Sequence, residues 1–251
     1  MGLVSPKRND FFYRLGRKVG GKLRTGRWVW SSLMGSEQEA LAAEYKAGRE
    51  LARGFEEAHP CVDERLPTEL LERVRGRLCQ QIDGENRHWA VRLIALDEPG
   101  AFALPGGFVY VTQALVDLCH GDEHELACVV GHEMTHVLRG HAMDRITNQV
   151  LTSAALRTVR IPGGLLSQWA LNAGVSLLHQ AYSRDCELLA DELGTRLADH
   201  AGYDPRGAIR VFERLLESQK DRGVPLAEYF ASHPPLAERI ARVERKIQSW
   251  K

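Results

Sequence analysis

The chain has 251 residues, 44% of them hydrophobic and 26% charged, with a formal net charge of zero. That length supports one well-buried domain, with or without a helical extension. The balanced charge argues against wholesale nucleic-acid binding, which needs a basic surface. Five cysteines (Cys61, Cys79, Cys119, Cys128 and Cys186) make an odd number with no C-x-x-C pair. This disfavours a disulfide framework and points to a reducing, cytoplasmic compartment. No apolar run reaches the roughly 18 residues of a transmembrane helix, and no apolar h-region follows the N-terminal charges as a secretory signal would require.

In chain order, residues 1–35 form a basic arm. Residues 1–30 carry eight Lys/Arg against one acid, Asp10, so the rest of the chain is acidic by the same excess. Phe11, Leu15, Val19 and Leu23 recur every four residues and would line one side of a helix. Docking of this arm on the domain is the preferred reading; peripheral contact with an anionic membrane is the alternative. Residues 36–251 then read as the main domain, with a helical part over 36–85 and a core over 86–245. Ser36 and Glu39 suggest a capping box for a helix over 36–58. A second helix is predicted over 67–81, started by Pro67. Strands are predicted over 89–96, 101–104 and 108–112, separated by turns at Asp97-Glu98-Pro99-Gly100 and Pro105-Gly106-Gly107. Further helices are expected over 113–118, 122–146 and onward to 160, from Leu165, over 183–200, from Asp204-Pro205 to about 220, and from Pro235 to about 248. The fold class this predicts is α+β: a mainly helical domain with a small edge sheet over one central helix.

That central helix carries Gly131-His132-Glu133-Met134-Thr135-His136. Residues four apart share a helix face, so both imidazoles can reach one ion. Zinc accepts imidazole nitrogen and, in catalytic sites, takes three protein ligands and leaves a position open. Glu133, one residue after the first ligand, projects beside that position as a general base. Leu126, Ala127, Val129, Val130, Val137 and Leu138 make the helix largely buried, where a His-Glu-His cluster without an ion is costly. His141 is a nearby third candidate, but five residues on a continuous helix rotate it about 140° from His136. It is therefore rejected as a ligand and expected behind the site or on the surface. Cys128 and Cys186 fall near the site and are expected to be small buried hydrophobes. The better third ligand is Glu187, with Asp191 one turn on to receive the remaining ring N–H of a ligand histidine. A solvated acidic face is what composition alone would favour for that pair.

Four blocks give these motifs a resemblance: Ala101-Phe102-Ala103-Leu104-Pro105-Gly106-Gly107, His132-Glu133-Met134-Thr135-His136, Glu187-Leu188-Leu189-Ala190-Asp191 and Ser232-His233-Pro234-Pro235-Leu236. In order and spacing, over about residues 85–245, the chain resembles the gluzincin peptidases of the family that includes HtpX and the CAAX prenyl proteases, and more closely its soluble Oma-like members. The resemblance implies His132, His136 and Glu187 as zinc ligands, one ion per chain, with Glu133 as base and Asp191 behind the ligands. It implies that Ala101–Leu104 is an exposed edge strand pairing with an extended peptide or unfolded protein substrate. It also places His233 near the cleft, either donating to the oxyanion or capping the metal. Gly100 departs from the family's usual Asn at that place, and membrane-spanning helices are missing, which disfavours a prenylated membrane substrate. The expected activity is hydrolysis of internal peptide bonds. A zinc-binding, chaperone-like or latent scaffold protein is the alternative, and only the former needs Glu133.

Overall fold

The computed structural model describes residues 37–82, 87–145, 182–222 and 234–250. The basic arm, the stretch over 146–181 and His233 lie outside these described residues. Seven helices are labelled within them: α1 (Glu37–Ala58), α2 (Arg65–Cys79), α3 (Gln113–Leu118), α4 (Glu123–Leu138), α5 (Arg184–His200), α6 (Gly207–Arg222) and α7 (Leu236–Ser249). The strands are β1 (Ala90–Ile94), β2 (Ala101–Leu104) and β3 (Phe108–Thr112). The mainly helical α+β expectation is met. Helix α2 starts two residues before Pro67, because proline is tolerated within a first turn, whose N–H groups have no helical partner.

The sheet has the order β1-β3-β2, with β1 parallel and β2 antiparallel to the central β3. Both faces of β3 are covered, so all five of its residues are buried. This explains why Phe108-Val109-Tyr110-Val111 lacks apolar–polar alternation. Phe108 and Tyr110 join Phe102 and Leu104 of β2 in packing against Leu51, Ala52 and Phe55 of α1. Val109 and Val111 face the other way, into a larger core that takes in α2, α4 and α6. The turn between β2 and β3 depends on Gly106 and Gly107, which have φ of 77° and 87°. Those values lie in the left-handed region that glycine enters without cost. A Cβ on Gly106 would come within 2.8 Å of the Tyr45 backbone on α1, so the turn is also pinned to that helix.

Helix α4 passes beneath the sheet and packs on β2, α2, α5 and α6. Asp122 caps its start, accepting from the backbone N–H groups of His124 and Glu125 at 2.9 and 3.0 Å, as short acceptors before a first turn do. Its end differs from the expectation of a helix running on to residue 146. Gly140 takes φ of 76°, a left-handed residue just past the C-cap, and its N–H bonds back to the Val137 carbonyl at 3.0 Å. Such a glycine terminates a helix. The chain turns there and resumes helical geometry over 141–145.

Candidate active site

Two helices build the centre, and two glycines let them meet. A Cβ on Gly131 of α4 would stand 2.7 Å from the Gly194 carbonyl of α5, and one on Gly194 would stand 2.4 Å from the His132 nitrogen. No side chain fits at that crossing, so the backbones touch and residues one turn away on each helix face one another. From α4, His132 Nε2 and His136 Nε2 lie 3.0 Å apart. From α5, the Glu187 carboxylate brings Oε2 to 3.6 Å from His132 Nε2 and Oε1 to 3.5 Å from His136 Nε2. Among the described residues these three are the group able to share one metal ion. A tetrahedral ion with ligands at about 2.0–2.1 Å holds its donors about 3.3 Å apart. The observed triangle has that size, so the donor set fits such an ion.

The far sides of both imidazoles are held. His132 Nδ1 lies 3.0 Å from Asp191 Oδ1, and Asp191 is gripped by Arg239 of α7 through Nε at 2.8 Å and Nη2 at 2.6 Å. All of these groups except His132 are almost wholly buried. The solvated acidic face that composition favoured for Glu187 and Asp191 is therefore not what forms. Burial alone would pull His132 down; the hydrogen bonds and charges of Asp191 and Glu187 together outweigh it and push His132 up to about 10. Burial likewise works against ionised Asp191, but the Arg239 charge and hydrogen bonds hold its carboxyl below the ordinary range. His136 is pulled well down, first by burial and then by the charge on His132.

Glu133 is buried beside His132. Burial pushes its carboxyl up to about 7, with the His132 charge opposing and Glu187 reinforcing the rise. His132 and Glu133 line a cavity of about 70 Å³ whose apolar walls include Leu115, Val129, Val211, Phe212 and Leu215. Pro99, Gly100 and Ala101, where the chain enters β2, also line it.

Strand β2 is at the sheet edge, as expected, but it is not exposed. Phe102, Ala103 and Leu104 are buried, and Ala101 is half-buried. Gly100 bonds to Thr112 through its carbonyl at 3.0 Å. Strand alternation therefore turns the backbone groups of Ala101 and Ala103 away from β3. Arg145 Nη2 donates to that outward Ala103 carbonyl at 3.2 Å, and its guanidinium also lies 4.5 Å above the Tyr182 ring.

Of the two places expected for His141, behind the site or on the surface, the structure gives the first, and the residue is almost fully buried. The rotation that sends it away assumes a helix that in fact ends at Leu138. The turn at Gly140 swings His141 back until its Nδ1 is 3.0 Å from His136 Nδ1. It lies on the side of His136 opposite the ligand triangle, so it is still no ligand. Arg239 and Tyr182 escaped the sequence reading. Arg239 follows Pro235 by one helical turn, a signal present beside the Pro234-Pro235-Leu236 block. Tyr182, stacked on His136 at 3.8 Å, left no spacing signal. Arg184, the first residue of α5, bonds Glu238 at the start of α7. Cys128 is buried and Cys186 half-buried, and all five cysteines are free thiols.

A helical domain with a small mixed sheet, and a His-Glu-His helix facing a second carboxylate helix, define a metallopeptidase domain. The chain belongs to peptidase family M48, whose profile matches residues 65–247. It is 32% identical over 188 residues to the mitochondrial metalloendopeptidase OMA1 of Schizosaccharomyces pombe, covering 73% of this chain and 53% of that protein. It is 28% identical over 183 residues to the metalloprotease LoiP of Escherichia coli, covering 71% and 70%. Against the beta-barrel assembly-enhancing protease of E. coli it is 26% identical over 223 residues, covering 84% and 45%. The chain spans about half the length of the OMA1 relatives from the two yeasts (53% and 43%). No helix among the described residues is long and apolar enough to cross a membrane.

Proposed function

We propose that this chain is a zinc-dependent endopeptidase acting on extended or unfolded protein segments. The observation that carries the reading is the convergence of His132 Nε2, His136 Nε2 and the Glu187 carboxylate within 3.0–3.6 Å of one another. Family membership supports it. Zinc, when bound by these three residues, supplies Lewis-acid polarisation of the scissile carbonyl and a more acidic water.

The chain's own residues do the rest. Glu133 takes a proton from the attacking water and passes it to the leaving amine nitrogen. Its burial beside His132 keeps its proton affinity near neutrality, which suits a group that must both accept and release a proton. Asp191, fixed by Arg239, holds the Nδ1 proton of His132 and so keeps its Nε2 lone pair directed at the ion. The substrate backbone pairs with the outward groups of Ala101 and Ala103 by strand addition. Pairing at Ala103 displaces Arg145 from its carbonyl, and Phe102 and Leu104 hold the strand by packing against α1. His233 enters the proposal as a donor to the developing oxyanion.

The test is a Glu133→Gln variant. It should retain zinc at wild-type stoichiometry and lose at least a hundredfold of casein cleavage, the scale of a general-base contribution. Undiminished cleavage by a zinc-loaded Glu133→Gln protein would remove the mechanism.

A further inference from the structure

We propose that His141 is a positioning residue that sets the tautomer of His136, so that His136 binds metal through Nε2. It rests on the zinc reading above and adds a residue that the ligand motif does not contain.

The two ligand histidines are supported differently. His132 gives its Nδ1 to a carboxylate, Asp191, which can only accept a hydrogen bond when ionised. His136 gives its Nδ1 to another imidazole, at 3.0 Å. A neutral imidazole has one donor nitrogen and one acceptor nitrogen, so this contact works in two senses. In the first, His136 carries its proton on Nδ1 and donates to His141 Nδ1. Its Nε2 then presents a lone pair toward His132 and Glu187. In the second, His141 donates and His136 carries its proton on Nε2. That proton points at His132 Nε2, 3.0 Å away, in the space the ion needs. Only the first sense makes a metal site.

Two features hold the pair in contact, and the ion itself selects the sense. The turn at Gly140, with φ of 76°, brings His141 back against His136; a continuous helix would not. Tyr182 lies flat on the His136 ring, with centroids 3.8 Å apart and planes 16° apart, which fixes the ring plane and the aim of both nitrogens. A cation held by His132 and Glu187 would meet a lone pair on His136 Nε2 in the first sense and a proton in the second, so metal binding selects the first. The first sense leaves the His141 proton on Nε2, a buried atom that meets no hydrogen-bond partner among the described residues. An unpaired buried N–H is a penalty, and in the first sense His141 bears it.

The experiment uses the full chain, ¹⁵N-labelled at histidine and loaded with zinc. Long-range ¹H–¹⁵N spectra should show His136 protonated at Nδ1 and His141 protonated at Nε2 only, with a scalar coupling between the two Nδ1 nuclei. His141→Asn places an acceptor oxygen near the Nδ1 position, and His141→Phe keeps the ring but removes the acceptor. By chelator competition, the Phe variant should lose roughly 10- to 100-fold in zinc affinity, the usual effect of losing such a partner, and the Asn variant should recover most of it. His141 protonated at Nδ1 in the zinc-loaded protein overturns the proposal, as does a folded Phe variant with wild-type affinity. If the Phe variant does not fold, the spectra and the Asn variant decide alone, and a folded Asn variant that binds as poorly as an Asp191→Asn protein counts against it. Wild-type protein that takes up no stoichiometric zinc sinks the zinc reading itself, a result distinct from zinc bound with the wrong tautomer.

Discussion

At the residue scale, each proposed ligand is set by what lies behind it. Asp191 holds His132, and Arg239 holds Asp191 with two hydrogen bonds while its guanidinium sits 4.4 Å over the Phe212 ring. Replacing Asp191 by Asn keeps the shape but exchanges a pure acceptor for an amide and removes the nearer of the two carboxylates that face Arg239. The variant should bind zinc roughly 10- to 100-fold more weakly, as measured by chelator competition, while its far-ultraviolet circular dichroism stays that of the wild type. Unchanged affinity would mean that Asp191 is a packing residue. The cysteines make a second case at this scale. Burial pushes the Cys128 thiol up to about 12 and raises Cys119 further, and both are shielded from solvent. Thiolate is the reactive form, so iodoacetamide at neutral pH should label exposed Cys61 in the native protein and leave Cys119 and Cys128 untouched until denaturant is added. Peptide mass mapping reads that order directly.

At the scale of elements, the site depends on the α4–α5 crossing. Gly194→Ala places a methyl 2.4 Å from the His132 nitrogen, a contact that only separation of the helices relieves. Overpacking of this kind costs about 1–3 kcal/mol, and here it also widens the ligand triangle. The variant should melt lower and lose most of its zinc affinity, whereas Gly76→Ala on α2, where a Cβ meets nothing within 4 Å, should do neither. Equal behaviour of the two variants would mean that the crossing does not set the site. Element types and order were legible in the sequence because periodicity and turn residues report local geometry. His132 and His136 were legible because residues four apart share a helix face wherever that helix goes, whereas Glu187 and Asp191, which composition alone would leave on a solvated face, were singled out by the family resemblance. The end of α4 was misread. Gly140 is a glycine just past the C-cap of α4, but the apolar pattern runs through it, and a left-handed turn is invisible to periodicity. That single misreading left His141 undecided between a place behind the site and the surface. The burial of β2 was also hidden, because what covers a strand comes from helix α1 and residue Arg145, distant in sequence.

At the scale of the whole molecule, an ion at the proposed site would add one more link between elements already joined by packing and ion pairs. Helices α4 and α5 supply the donors, α7 supplies Arg239, and α6 is tied to α4 by buried Glu125, which pairs with Arg210 and Arg214 at 3.2 and 2.9 Å. An ion bound only by the folded chain adds stability by mass action, about 4 kcal/mol when zinc is in thousandfold excess over its dissociation constant. For a domain of this size each kcal/mol moves the midpoint by about 2–4 °C. Removing zinc with a chelator should therefore lower the melting midpoint by roughly 10 °C, seen by calorimetry. The Glu187→Ala protein should show almost no such difference.

The most direct check of the central claim, one ion held by His132, His136 and Glu187, is metal analysis of the purified full chain after exhaustive dialysis. The account predicts one zinc per chain in the wild type and in Glu133→Gln, and substoichiometric zinc in His132→Ala and Glu187→Ala. A wild-type chain without stoichiometric zinc, or a Glu187→Ala chain that keeps its full complement, contradicts it.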